Sequence, residues 1–562
     1  MVPTGPSRRR RTWATLAALP VVATLVATTT ALTPAMSSAA TRSLTSDATG
    51  GGTVNIDTGS PPNSLDPNLG YTTTAGESDW LVYTPLLTYA HKSGEAGTKL
   101  IPGLATSLPT ITDGGRAYTL TLRAGLKYSD GTPVMASDFK FSIQRTLKLN
   151  WGASSFLLPI AGAPAFLAGK AKSLSGIVTD DVTRTITIHL STAVGDFPNV
   201  LAFPATSPVP KTTPMTAQVT NLPPGVGAYI IKDVVPNVSW ALVKNPLFAS
   251  FHIPGIPLGN LDQVNIHLVS NNLTEAEAVL NNQVDAFDVG DTVPPTLIAQ
   301  IESKAADRFA KEPVASTDYF FLNQDIAPFN NVLAREAANY AIDRDALSRL
   351  AGGFVKSSCY FIPLGIPGHP TAPCPFLSPN IAKARALLEK AHLMGAPVSV
   401  YGFAKHPQQE EAQYYASALQ QAGFKPTLKL IAPAIYWTTI GNVKTKAATG
   451  EAGQFLDFPT PDDFFLLLDA RNIHPVNSNN FGNVDDPHIQ STLVRLEAVP
   501  TTKLSTVSSQ WAALDEYAAN HAYYIVWGSA ELVKFFSSRI QFSSAVFHPL
   551  FFNDYSTWRL NG

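Results

Sequence analysis

YSDGTPVMASDFKFSIQR, residues 128–145, crowds aspartates, serines, a lysine and an arginine into one short segment. Its spacing nevertheless predicts architecture and not chemistry. Asp130-Gly131 is a turn pair, because glycine accepts positive φ without steric cost. Ser137 is placed to cap a helix, and Asp138 to favour its first turn electrostatically. Phe139, Ile143 and Leu147 then recur at helical spacing and line one face. The segment reads as a corner followed by an amphipathic helix.

Outward from it the chain continues in the same manner. Tyr118, Leu120 and Leu122 alternate with polar residues, as do Ile186, Ile188 and Leu190, and Val264, Ile266 and Leu268; each set predicts a half-buried strand. Leu333, Ala337, Tyr340 and Ala341 share a helical face, and so do Ala412, Tyr415, Ala416 and Leu419. The second of these helices lies between VSVYGF (398–403) and TLKLI (427–431), with Gly423 at its end. Strand, helix and strand at this spacing form a βαβ unit, so part of the sheet is expected to be parallel. At 562 residues the chain exceeds one ordinary core. A mixed α/β protein of more than one domain follows, strand-rich in front and helix-rich in the middle.

Composition excludes several classes. The net charge is −2 with 15% charged residues, which gives no field to attract nucleic acid or an anionic membrane. There is no G-x-S-x-G elbow and no H-E-x-x-H pair, and the eleven histidines are scattered, His406 beside Glu410 and Glu411 reading as an exposed helix start. An enzyme is not expected, and neither is a cofactor. Arg8 to Arg11, an apolar run from Trp13 to about Leu32 and the small residues Ser38, Ala39 and Ala40 together predict an export signal over residues 1–40. Ser7-Arg8-Arg9 leaves a twin-arginine route open, and the apolar run leaves an uncleaved anchor open. No cysteine stands near the cleavage region, so attachment through a lipidated N-terminal cysteine is not expected. In an oxidising compartment Cys359 and Cys374 are expected to form a disulfide; a metal site with His369 between them would lack a fourth ligand.

The opening segment also resembles the most characteristic stretch of the family 5 extracellular solute-binding proteins of ABC importers. The matching residues are Tyr128, Asp130-Gly131-Thr132-Pro133, Ala136-Ser137-Asp138, Ser142 and Arg145. Further stretches follow in that family's order: NSLDPN (63–68), SPVPK (207–211), GVGAYII (225–231), VKNPLF (243–248), NNQVDAFD (281–288), FLNQDIAPFNNVLAREAANYAIDRDAL (321–347), SPNIAKARALLEKA (378–391) and FLDFPTPDDFF (455–465). The resemblance implies a bilobed periplasmic-binding-protein-like α/β fold (type II, three-domain, cluster C-like) with mixed sheets and a ligand cleft between lobes. Residues 53–88, 207–300 and 526–562 would form the first lobe, 89–206 a domain added to it, and 301–525 the second lobe.

It further implies a monomeric, extracytoplasmic carrier, in the periplasm or on the outer face of the membrane or cell wall. Such a carrier holds a small solute, an oligopeptide above all, and delivers it to a membrane permease. A non-peptide ligand such as a sugar, haem or metal complex, or a non-transporting surface role, stays open at this stage. In peptide-binding members a carboxylate at the position of Asp457 receives the ligand's ammonium group; read from its own neighbours, Asp457 equally suits a cap for a helix near Asp462. Asp462 and Asp463 read as cap and first-turn acids. Tyr71, Thr72 and Thr73 fall where the first strand's exit meets the cleft, and Trp437 and Asn323 offer an aromatic wall and a polar anchor. Gln454 stands where many peptide binders carry a tryptophan.

Overall fold

Gly131 adopts φ +89°, with its N–H on the carbonyl of Tyr128, while the N–H of Tyr128 is donated to the carbonyl of Thr132. The turn therefore forms where the Asp-Gly pair predicts it. The computed structural model describes residues 51–561 apart from Ser60, Trp151, Ser270 and 289–292, so the expected export signal lies outside the described residues. The helix after the turn spans Ala136–Leu149. Its cap differs from expectation. Met135 is the N-cap, and Asp138, at the third helical position, reaches back to the N–H of Met135 (2.9 Å). Ser137 is not free to cap, because Asp181 takes both its N–H (2.8 Å) and its hydroxyl (2.6 Å).

Phe139, Ile143 and Leu147 are buried against an antiparallel four-stranded sheet, ordered Thr110–Thr112, Ala117–Thr121, Thr185–His189 and Ile177–Asp180. Tyr118, Leu120, Ile186 and Ile188 supply the other side of this core, each such side chain contributing about 1.5–3 kcal/mol by burial. A five-stranded sheet runs Ala286–Phe287, Thr53–Thr58, Gln263–Leu268, Ser239–Lys244 and Tyr229–Val235. Its first two pairings are parallel and the others antiparallel.

A seven-stranded mixed sheet holds the remainder. Its path is Phe309–Pro313, Tyr524–Phe535, Ser316–Leu322, Thr449–Phe455, Pro397–Phe403 and Lys425–Ile431, with Val355–Ser357 on the side of Tyr524–Phe535. Pro397–Phe403 is parallel to Lys425–Ile431, and the helix Gln408–Ala422 connects them and ends at Gly423 with φ +109°. This is the expected βαβ unit. The start of that helix is less exposed than its charge suggests. His406 projects into solvent, but Glu411 is buried, being one turn before the fully buried Tyr415 on the sheet-facing side. The strand Tyr524–Phe535 leaves the seven-stranded sheet to reach the five-stranded one, through a bridge between Phe536 and Ala286. Cys359 and Cys374 are disulfide-bonded, closing a loop whose cross-link removes about 3 kcal/mol of unfolded-state entropy. Among the described residues no helix is long and apolar enough to cross a membrane.

Near the end of the helix Ala136–Leu149 the side chain of Arg145 is fully buried, and all five of its N–H donors are used. Nη1 donates to Asp66 Oδ1 (2.6 Å) and Asn68 Oδ1 (2.7 Å), and Nη2 to Asp66 Oδ2 (2.5 Å) and the Thr216 carbonyl (2.7 Å). Nε donates to the Pro214 carbonyl at 2.7 Å. One side chain thus ties the loop after the first strand to residues 214–216. Replacing Arg145 with methionine leaves Asp66 buried without its countercharge. We expect a loss of about 3–5 kcal/mol, read as a lower urea midpoint with an unchanged slope.

Candidate functional site

The loop held by Arg145 carries the first candidate residues. Asn63 shapes it: Oδ1 accepts the N–H groups of Tyr71 (2.9 Å) and Thr72 (3.0 Å), and Nδ2 donates to the Leu69 carbonyl (2.7 Å). Thr72 is the N-cap of the helix Thr73–Val82, and its hydroxyl accepts the N–H of Asn63. Tyr71, Thr72 and Thr73 are half-buried. The ring of Tyr71 lies against Gly152, which has φ +48°; a Cβ there would stand 2.6 Å from Cγ of the ring. Glycine at 152 therefore satisfies two demands, a left-handed backbone and room for the tyrosine.

The hydroxyl of Tyr71 donates to Asp457 Oδ2 at 2.5 Å. Asp457 follows the strand Thr449–Phe455, so this contact joins the N-terminal loop to the seven-stranded sheet. Gln454 Nε2 donates to the same oxygen at 3.2 Å, and the N–H of Asp457 donates to Asp463 Oδ2 at 2.8 Å. Asp457 does not cap the short helix Asp462–Phe465, whose N-cap is Pro461. Asp463 is a first-turn acid as expected, but a buried one, and its Oδ1 has no hydrogen-bond partner. Around the two carboxylates stand four rings. Phe458 contacts Phe156 (4.7 Å between centroids) and Phe203 (6.2 Å), and Tyr71 contacts Phe203 (5.9 Å) and Phe156 (6.4 Å).

Burial sets the electrostatics. It pushes the Asp457 carboxyl up to about 6, against the stabilising hydrogen bonds from Tyr71 and Gln454. Asp463 is driven well above the usual carboxylate range, first by burial and then by the charge of Asp457. The Tyr71 phenol is pushed up too, by burial first and by Asp457 second, so it stays protonated as the donor. Among the described residues neither Asp457 nor Asp463 forms an ion pair with a lysine, arginine or histidine. An aromatic-walled site with two carboxylates and no countercharge is suited to a cation brought from outside.

The other two candidates lie elsewhere. Asn323 is buried, with its Oδ1 on the N–H of Asp325, and it lines a cavity of ≈ 20 Å³ with Ile440, Phe481 and Asn483. Trp437, 37% exposed, stacks on Phe481 (6.0 Å) and meets Phe403 edge-on (5.4 Å). The structure therefore brings Tyr71 to Asp457, leaves Thr72 and Thr73 beside it at the start of the helix Thr73–Val82, and sets Asn323 and Trp437 in a second place joined through Phe481. Phe156, Phe203 and Gly152 were not singled out by sequence; phenylalanine is common in this chain and nothing local distinguishes these two.

The Tyr71 hydroxyl lowers the Asp457 carboxyl, so Tyr71→Phe is expected to raise it further. A hydrogen bond to a charged group contributes about 1.5–3 kcal/mol, hence a rise of about one to two pH units. Carbon-13 titration of aspartate carboxyls, with Asp457→Asn to assign the signal, reads this directly.

Residues 99–473 match the bacterial extracellular solute-binding proteins, family 5 Middle. The periplasmic oligopeptide-binding protein OppA of Escherichia coli (strain K12) is 30% identical over 261 residues, 44% of this chain and 45% of that protein. The chain spans about half the length of the curated relatives it matches. Among solved structures, the clavulanic acid biosynthesis oligopeptide binding protein 2 superposes with a TM-score of 0.80 at 22% identity, covering 92% of this chain and 96% of that one. The Escherichia coli murein tripeptide binding protein MppA gives 0.78 at 20% identity, covering 92% and 100%. These likenesses establish the fold.

Proposed function

Because this chain belongs to the family 5 bacterial extracellular solute-binding proteins, we propose that it carries an oligopeptide with a free N-terminus to the permease of an ABC importer. The peptide would be held between two closing lobes. The observation that carries this reading is the pair Tyr71–Asp457, which joins residues 386 apart in sequence at a half-buried carboxylate without an ion-pair partner among the described residues. A peptide ammonium would supply the missing positive charge. The charge-assisted bond is favourable because both partners are desolvated together.

The lobes in this reading are 53–88 with 207–300 and 526–562, the added domain 89–206, and 301–525. The five-stranded, four-stranded and seven-stranded sheets support that division, and the strand Tyr524–Phe535 acts as a crossing between lobes. A solute touching both Tyr71 and Asp457 gains contacts that a parted clamshell does not offer, and so shifts the population towards closure. One chain supplies both walls, which fits a monomeric carrier. The carrier works outside the cytoplasmic membrane, exported by the segment 1–40.

Two outcomes test the assignment. In a thermal-shift panel, free-amine peptides at a hundredfold over their dissociation constant add about 2.7 kcal/mol of stability, and N-acetylated versions do not. Equal stabilisation by both forms sinks the role given to Asp457. Affinity also depends on pH with a definite sign. The ammonium favours ionised Asp457, so affinity is full above the carboxyl's value of about 6 and lost as pH falls through it. Calorimetry is expected to show about tenfold weaker binding per pH unit below that point. A flat profile would mean the carboxylate is not the anchor.

A further inference from the structure

A second contact joins the same two halves away from Asp457. Residues 194–196 precede the short helix Phe197–Val200 and are fixed to the four-stranded sheet by Tyr118, whose hydroxyl donates to the Val194 carbonyl (2.9 Å) and whose ring packs on Phe197 (5.1 Å). From this base Gly195 reaches across to the end of the helix Pro487–Glu497. Its N–H donates to the Glu497 carbonyl at 2.8 Å, and its carbonyl accepts both the N–H and the hydroxyl of Thr501, each at 3.3 Å. The approach is close enough that a Cβ on Gly195 would stand 2.0 Å from the Val499 carbonyl oxygen.

Next to this backbone clasp two acids meet. The carboxyl groups of Asp196 and Asp462 are in hydrogen-bond contact, one from each half. Among the described residues neither forms an ion pair with a cation. Arg471 spends its donors on Glu497 (2.5 and 2.7 Å) and Asp469 (2.7 and 2.9 Å). The other groups facing Asp196 are the Glu497 carboxylate and the phenols of Tyr89 and Tyr118. Two carboxyl groups in contact hold together only when a proton lies between them.

We propose that residues 194–196, seated on Asp462 and residues 497–501, form a proton-operated latch that holds the closed form shut. The proposal rests on the two-lobe reading above. Its sign follows from linkage. Burial, then the neighbouring Asp462, pushes the Asp196 carboxyl well up in the closed form, whereas water would reach it once the halves part. Closure therefore takes up a proton. The closed-to-open ratio rises as pH falls, by at most about tenfold per pH unit for one proton. This is opposite in sign to the capture of an ammonium by Asp457.

Small-angle scattering of the ligand-free full chain between about pH 8 and pH 5 tests the latch, with circular dichroism as the check on folding. The wild type is expected to become more compact towards acid. Asp196→Asn replaces the shared proton with amide hydrogens and should be compact at both ends, without a pH response; Asp462→Asn, from the opposite side, should behave alike. Gly195→Ala should stay expanded throughout. If both asparagine variants keep the wild-type response, or if the wild type shows none, the latch is wrong; should Gly195→Ala not fold, the asparagine pair alone decides. Adding a free-amine peptide at neutral pH separates the two ideas. A chain that no peptide compacts, but whose acid response disappears in Asp196→Asn, keeps the latch and loses the peptide assignment.

Discussion

The guanidinium of Arg145 lies where water does not reach, so every hydrogen it carries must be matched by protein. Asp66 matches two of them and Asn68, Pro214 and Thr216 the rest. Asn68 in turn spends its amide on Ser142, Thr146 and the Ala205 carbonyl. A helix, a strand exit and a distant loop are thereby locked into one polar network in which each member is satisfied. The loop 63–72 owes its position to this network, and Tyr71 stands at the end of that loop. The site depends on an ion pair that it does not contain.

Much of this frame is legible in the sequence because its signals are local. A glycine after an aspartate, an apolar residue every third or fourth position and a strand–helix–strand spacing describe neighbours along the chain. Asp462, expected as a cap, lies one place inside its helix behind Pro461, and the readings of Ser137 and Glu411 went differently for a shared reason. Ser137 is drawn away from its capping position by Asp181, and Glu411 is drawn under its helix by the sheet; both effects come from residues that only the fold brings near. The resemblance placed Asp457 and Tyr71 in one cleft but could not pair them, since a hydroxyl-to-carboxylate contact has no signature in spacing. Phe156, Phe203 and Phe458 were hidden for the same cause, three rings among many.

Charge distribution gives the site its character. Asp457, Asp463, Asp196 and Asp462 gather in one region, and Arg471 beside them is occupied by Asp469 and Glu497. Such an arrangement costs stability when it is empty, because burial opposes each ionised carboxylate. In the carrier reading proposed above, a neutral or anionic solute would leave that cost in place, whereas a cation would relieve it. The absence of the tryptophan at Gln454 fits the same picture, since Gln454 supplies a hydrogen bond to Asp457 instead of a stacking surface.

Gly152 and Tyr71 are far apart along the chain, yet a single methyl group on one would collide with the ring of the other. Heredity must therefore treat them as a unit. A descendant that acquired any bulkier residue at 152 would push the phenol away from its acid, and one that had already given up the ring would still strain a left-handed backbone. Glycine is thus held at this place in the lineage twice over.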